Sequence, residues 1–277
     1  METYKSLVRE TKDIRELGGL LEVYEEVAAT KMQKIRKEIL SSREFYEGLT
    51  RLTDDVGSDI TNVISKNSRE AVVFVASNAG LYGDIVERTF QIFFEYIKNH
   101  KCDIFVIGKM GNRMMREYCR GLHWQSIDLP DDTVDEKMVQ EIMTQLIAYN
   151  KVHIMYGKFK NIAIQMPEIT HMSGGIIPPI NTDLDAMTIK RLMYLYEPSL
   201  SGISQVFARE IFVSLFTEVV QESNLAKFGS RLMHLDKSLE HIHSRLSKLD
   251  IRRRKTRKKT IDRKQNAMIS AIVVRSS

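Results

Sequence analysis

Leu225, Phe228, Leu232, Leu235, Leu239, Ile242, Leu246 and Leu249 follow one another at alternating intervals of three and four residues. That spacing puts all of them on one stripe of an α-helix, the seam by which a helix lies against another in a coiled coil. Such a chain needs a second helix. The N-terminal part offers one, with Ile14, Leu17, Leu21, Tyr24, Ala28, Ile35, Phe45, Leu49 and Leu52 on the same grid and Lys31, Glu38 and Ser42 interrupting its middle. One seam near each terminus predicts two helices paired antiparallel, with the segment between them folding separately. Long helices are permitted at both ends because all five prolines fall between Pro130 and Pro198. Gly18 and Gly19 each cost a helix about 1 kcal/mol relative to Ala, which predicts a bend or a loosened turn there.

Between the seams the period changes. AVVFVAS at 71–77 reads as a β-branched strand, followed by the loop SNAGLYG and the helical stretch DIVERTFQIFFEYIKNH. DIFVIGK at 103–109 reads as a second strand, MGNRMMREYC as the start of a helix, and DEKMVQEIMTQLIAYN as another helix. KVHIMYGKF and NIAIQMPEI read as further strands, and the proline-bearing stretch from Thr170 to Asp183 as a loop. Strands alternating with helices argue for an α/β layer around a parallel sheet.

Charge is concentrated at one end. The formal net charge is +5, yet residues 251–277 hold ten Lys or Arg against one Asp, a local +9, so the rest of the chain carries −4. The densest run, RRRKTRKK at 252–259, precedes an almost uncharged tail, AMISAIVVRSS. Taken alone, the run suggests a nucleic-acid tail, a localisation signal or a membrane-surface patch. A general nucleic-acid-binding domain more often spreads its charge over a folded face. No stretch approaches about 18 continuous apolar residues and METYKSLVRETKD is too charged for a signal peptide, so a soluble, cytosolic-side protein is expected.

Chemistry is hard to find. SNAGLYG, placed between a strand and a helix, could cradle a phosphate with free backbone N–H groups. It lacks both the GxGxxG spacing and the Lys and Ser or Thr of a phosphate-binding loop, so a tight strand-to-helix turn is favoured. His241 and His243, two apart on a helix, cannot share a metal face, and His123 beside Trp124 has no carboxylate or nucleophile placed near it by spacing. Cys102 and Cys119 read as reduced structural thiols. No catalytic residue, cofactor or metal is expected, which favours a mechanical or interaction role.

A helix near each terminus with an α/β layer between them resembles the gamma subunit of the F-type ATP synthase, the central shaft of a rotary motor. The likeness spans nearly the whole chain. VAATKM at 27–32 looks like the family's VAASKM, SNAGLYG like its SDRGLCG turn, and DIFVIGKMGNRMMRE like the strand and helix that follow. YNKVHIMYGKFKN is similar to YDEVYIVYNEFKN, YLYEPS at 194–199 to YLFEPS, and IFVSLFTEVVQESNLAKFGSRLMHLDKSLEHI follows the family's pattern in order. The expected fold class is α/β: an antiparallel two-helix coiled coil from the N- and C-terminal helices, with an inserted Rossmann-like α/β domain. The expected division is 1–60 for the first helix, 70–195 for the inserted domain, and 200–277 for the second helix with its collar and tip.

The resemblance implies a rotor that does no chemistry itself. Its partners would be the alpha and beta subunits of a catalytic ring, and an epsilon-type subunit and the membrane c-ring at the foot, with no nucleic acid. It would sit peripherally on the cytoplasmic face of the cell membrane, or the equivalent inner face in an organelle. A coiled coil of about 50 residues spans roughly 75 Å, enough to reach through such a ring. Arg252, Arg253, Arg254, Lys255, Arg257, Lys258 and Asp262 would form a collar facing acidic surfaces, and Ile269 and Ile272 an apolar tip turning in a hydrophobic bearing. Lys31 and Met32 keep the family's KM pair and are expected to touch the ring. Where the family's last helix reads KARQASITQELTEIVSGA, this chain reads KTRKKTIDRKQNAMISA. Lys258 stands for Gln and Asp262 for Thr, so contacts implied there require a charged exchange partner on the ring. Asn78 and Tyr82 likewise replace Asp and Cys, which leaves the role of that turn open.

Overall fold

Val72 to Val75 are almost wholly excluded from water, and burial on both faces is what a central strand of a parallel sheet requires. The computed structural model describes residues 4–56, 69–131, 136–173 and 200–276, except for the side chains of 46, 47, 49–56, 136, 173, 200–205, 207, 208 and 271–276. In order, the elements are α1 (Tyr4–Val56), β1 (Glu70–Val75), α2 (Ile85–Asn99), β2 (Asp103–Ile107), α3 (Lys109–Tyr118), β3 (Gln125–Ile127), α4 (Glu136–Leu146), β4 (Lys151–Phe159), β5 (Gln165–Ser173) and α5 (Leu200–Ser276). The chain divides into two compact units. One is Ala29–Arg231; the other joins Met1–Ala28 to Leu232–Ser277.

The larger unit is built on a five-stranded sheet of order β3-β2-β1-β4-β5. The first four are mutually parallel and β5 runs antiparallel to β4. Alternation along β1 sends Ala71, Val73 and Val75 to one face, packed with Val139, Met143 and Leu146 of α4 and with Phe212, Phe216 and Val220 of α5. Val72 and Phe74 face the other way, onto Phe90 and Phe93 of α2 and Met115 of α3. Phe74 and Phe93 stack with ring centroids 5.0 Å apart.

Two strands differ from the sequence reading. β3 was not anticipated: its three residues are polar or half-exposed, so they carry no alternating apolar signal. β5 begins at Gln165 rather than Asn161 and runs through Thr170 to Ser173, where a loop was expected. Asn161 explains the late start, since its side-chain oxygen accepts the backbone N–H groups of Ala163 and Ile164 and holds those residues in a turn. Pro167 is tolerated because β5 lies at the edge of the sheet. Residues 174–183 of that expected loop, and YLYEPS, lie outside the described residues.

In the smaller unit the start of α1 lies against the far part of α5. Arg245 is paired with Glu10 at 2.7 Å, while Gly18 faces Ile242, so moving forward along α1 moves backward along α5. The antiparallel pairing is as expected, and Leu235, Leu239 and Leu249 are buried along the α5 stripe. The α1 stripe is different. Leu7, Thr11, Ile14, Gly18, Leu21, Glu25 and Ala28 are its buried or half-buried positions, and in the larger unit Met32, Ile35 and Ile39 continue the grid. Leu17, Tyr24 and Phe45, placed on the seam by sequence, are 49%, 44% and 57% exposed, and the side chains of Leu49 and Leu52 lie outside the description. α1 carries two apolar stripes, and the expected seam mixes residues of both; at its expected interruptions the covered positions are the neighbours of Lys31 and Glu38, Met32 and Ile39.

The two glycines do not break the helix, which is continuous through them. Gly18 is instead a contact point: a Cβ there would lie 3.3 Å from Cγ2 of Ile242, whereas one on Gly19 would meet nothing within 4 Å. Gly19→Ala should therefore stabilise the chain by about 0.5 to 1 kcal/mol through helix propensity alone. Gly18→Leu should lower the midpoint of thermal unfolding by forcing the helices apart. Circular dichroism melts of the two variants check this pair.

Candidate functional site

In an open α/β sheet, ligands enter the crevice beyond the strand ends where the connecting helices switch faces. Here α2 and α3 pack on one face and α4 on the other, so that point lies beyond β1 and β4. The turn Ser77–Gly83 occupies it. Gly108, at φ +98, lets the start of α3 close on this turn, because a Cβ there would lie 2.8 Å from the Ser77 carbonyl carbon and oxygen.

The turn's backbone donors already have their anion. The N–H groups of Asn78 and Ala79 donate to Oδ2 of Asp131 at 2.8 and 3.0 Å, and the Tyr82 hydroxyl donates to the same oxygen at 3.2 Å. Asn78 Nδ2 donates to Asp128 and to the Leu129 carbonyl, while its Oδ1 accepts the Lys109 N–H. From α5, Lys227 Nζ donates to Asp131 Oδ1 at 3.2 Å and to the Ala76 carbonyl at 2.8 Å. The Lys227 and Asp131 side chains are only 4% and 10% exposed. Burial pulls the Lys227 ammonium below its ordinary range, and the Asp131 carboxylate offsets that. One turn farther along α5, Arg231 lies 4.1 Å over the Tyr82 ring and donates to the carbonyls of Gly80 and Leu81. The crevice is thus closed by the chain's own ion pair, with the cradle of N–H groups that would suit a phosphate turned onto a carboxylate.

Of the sequence-predicted partner residues, Lys31 and Met32 lie in the larger unit. Lys31 is half-buried with its ammonium 5.9 Å from the Phe228 ring centre, and Met32 is 9% exposed, inside the α1 stripe. Arg252, Arg253, Arg254, Lys255, Arg257, Lys258, Asp262 and Ile269 all lie on α5 in the smaller unit. Arg253 is half-buried and paired with Asp250 at 3.3 Å; the others are exposed, and no described residue is buried from Arg257 to Ser270. A helix turns its side chains through all directions, so that stretch presents charge and apolar groups, Met268 and Ile269 among them, all round. The side chain of Ile272 lies outside the described residues. Among the described residues no helix is long and apolar enough to cross a membrane.

Lys227, Arg231 and Asp131 were not singled out from sequence. Only Lys227 left a partial signal, since it stands between Leu225–Ala226 and Phe228 on the seam side of α5 and a lysine buried there needs an acid; nothing in the sequence pointed to Asp131 as that acid.

A family model described as ATP synthase matches residues 3–270. The gamma chain of the ATP synthase from Laribacter hongkongensis is 21% identical over 280 residues, covering 94% of this chain and 95% of that protein. The one from Chloroherpeton thalassium is 23% identical over 289 residues, with 94% of each covered. Among solved structures, the fold is similar to a chain of the central stalk and c-ring of the Tetrahymena thermophila mitochondrial ATP synthase, at TM-score 0.59 and 16% identity over 79% of this chain and 99% of that one. A chain of the Euglena gracilis mitochondrial ATP synthase gives TM-score 0.56 at 12% identity, with 94% of each covered.

The buried pair makes a sharp prediction. Lys227→Met leaves the Asp131 carboxylate without its cation and should cost about 3 to 5 kcal/mol. Adding Asp131→Asn removes the stranded charge while keeping an oxygen for the Asn78 and Ala79 N–H groups, so the double variant should be more stable than Lys227→Met alone. Denaturant unfolding of both variants reads the difference.

Proposed function

The chain belongs to the gamma-chain family of the ATP synthase, and we propose that it turns as the shaft within a ring of alpha and beta subunits. It is a non-catalytic central-stalk subunit. In this reading each catalytic site in the ring meets a different face of one asymmetric rotor and so holds nucleotide with a different affinity; rotation passes those affinities around the ring as a population shift. An epsilon-type subunit and the membrane c-ring take the foot, and the chain is held peripherally at the inner face of the membrane. The alternative weighed from sequence, a coiled-coil adaptor or a nucleic-acid binder, is not favoured by the family membership.

The observation that carries the reading is the family match along almost the whole chain, from residue 3 to residue 270. Two surface features support it. The exposed charges of Arg252, Arg254, Lys255, Arg257 and Lys258 suit a collar that tracks acidic surfaces, where opposite charge gives guidance and register more than affinity. Asp262 among these cations calls for a cationic partner group. The exposed apolar stripe Leu17, Leu20, Tyr24 and Val27 on α1 suits contact with a ring of apolar walls. Ile269 and Ile272 would be the tip, where an uncharged surface turns without meeting an unpaired buried charge at each step. Lys31 would reach the ring beside Met32, whose own side chain serves the seam.

Replacing Arg252, Arg253 and Arg254 by Glu tests the collar. Reconstituted complexes carrying this variant should hydrolyse ATP more slowly or fail to couple hydrolysis to ion pumping, while the chain's own melting curve is little changed. Undiminished coupled turnover would remove the collar from the account.

A further inference from the structure

A second concentration of positive charge lies on the sheet, apart from anything the rotor reading uses. Lys109, Arg113 and Arg116 recur at helical spacing along α3, and Arg120 follows just past its end. All four line an open groove of about 600 Å³ with Glu117, Ser126 and Asp128. Lys109 is engaged by Asp128 at 3.6 Å. Arg113, Arg116 and Arg120 are exposed, and among the described residues none of their guanidinium groups has an ion pair or a hydrogen bond.

The other wall of the groove is β3, the outermost strand of the sheet. Gln125 and Ser126 of that strand are exposed. The wall is fixed against the helix: Asn112 Nδ2 donates to the Ser126 hydroxyl at 2.6 Å, and Trp124 Nε1–H donates to Asn112 Oδ1 at 2.9 Å. A cationic helix thus runs beside a strand whose outer edge, among the described residues, pairs with no other strand.

That combination selects its ligand. From Lys109 to Arg116 the helix advances about 10 Å, so a single small anion cannot engage the series together. A strand repeats its side chains on one face about every 6.6 Å, which lets alternate carboxylates meet successive guanidiniums. A phosphodiester backbone carries no N–H or C=O groups to pair with a strand edge, whereas a peptide does. We infer that the groove between α3 and β3 docks an extended acidic segment of a partner protein, added as a strand along β3 with its carboxylates on Arg113, Arg116 and Arg120. The inference is independent of the rotor reading, because it rests on the edge of the sheet alone.

The test uses the full chain and a fluorescein-labelled seven-residue peptide of alternating Val and Glu, read by fluorescence anisotropy. Binding should weaken about tenfold or more in Arg113→Glu/Arg116→Glu/Arg120→Glu, and by less than about twofold in Arg252→Glu/Arg253→Glu/Arg254→Glu. A proline in place of the central Val should also weaken it, by removing an N–H needed for edge pairing. Arg113, Arg116 and Arg120 are exposed, whereas Arg253 of the control variant is half-buried beside Asp250, and unchanged melting curves of both variants confirm that they fold. The inference is overturned if the peptide fails to bind, if the collar variant rather than the groove variant loses it, or if the proline peptide binds equally well. Groove-dependent binding of phosphatidylglycerol vesicles or a DNA duplex in place of the peptide would also overturn it.

Discussion

A lysine shut away from water keeps its charge only where an acid is brought to it, and the larger unit is arranged around that necessity. Lys227 comes from α5, Asp131 from the segment after β3, and the N–H groups that share the carboxylate from the turn after β1. Three parts of the chain distant in sequence are therefore fixed at one point. Breaking such a pair costs far more than its net contribution, because the remaining charge is stranded. Arg231 adds a second grip from the same helix onto the same turn.

The pair also bears on why a Rossmann-like sheet serves here without chemistry. Its crevice is where such folds receive nucleotides, and in this chain the donors that would cradle a phosphate are committed to Asp131. The sheet becomes a body fixed to a helix instead of a binding pocket. The same α5 that is buried on nearly every side from Ile211 to Ser230 buries only one stripe from Leu235 to Leu249, and no described residue from Arg257 to Ser270. One helix thus passes from core, to seam, to exposed surface, and its composition changes accordingly from a mixture of large apolar and mostly uncharged polar residues to the basic run.

Much of this was legible in the sequence, and what was not has physical causes. The α5 seam could be read because, from Leu235 to Leu249, every position between its apolar residues is charged or polar, so only one stripe was available there. α1 misled because Leu17 and Tyr24 form an exposed apolar stripe beside the buried one, and a hydrophobic pattern records residue type, not which stripe is covered. Gly18 suggested a bend through its propensity, yet its absent side chain is what admits Ile242. β3 left no trace because an edge strand of three residues needs no apolar face. The network at Asp131 was hidden for a different reason. Long-range pairing of single charged residues has no period, and only the topology of the sheet brings Asp131 and Lys227 together.

A single shaft within a ring, as proposed above, fixes the number of copies of this chain at one per ring. Native mass spectrometry of the complex isolated from its own cells, with the tag in a surface loop and not on the C-terminal helix, tests it most directly. The expected result is one copy of this chain with three copies each of two larger nucleotide-binding subunits. Recovery of the chain alone, or bound to nucleic acid, would contradict it.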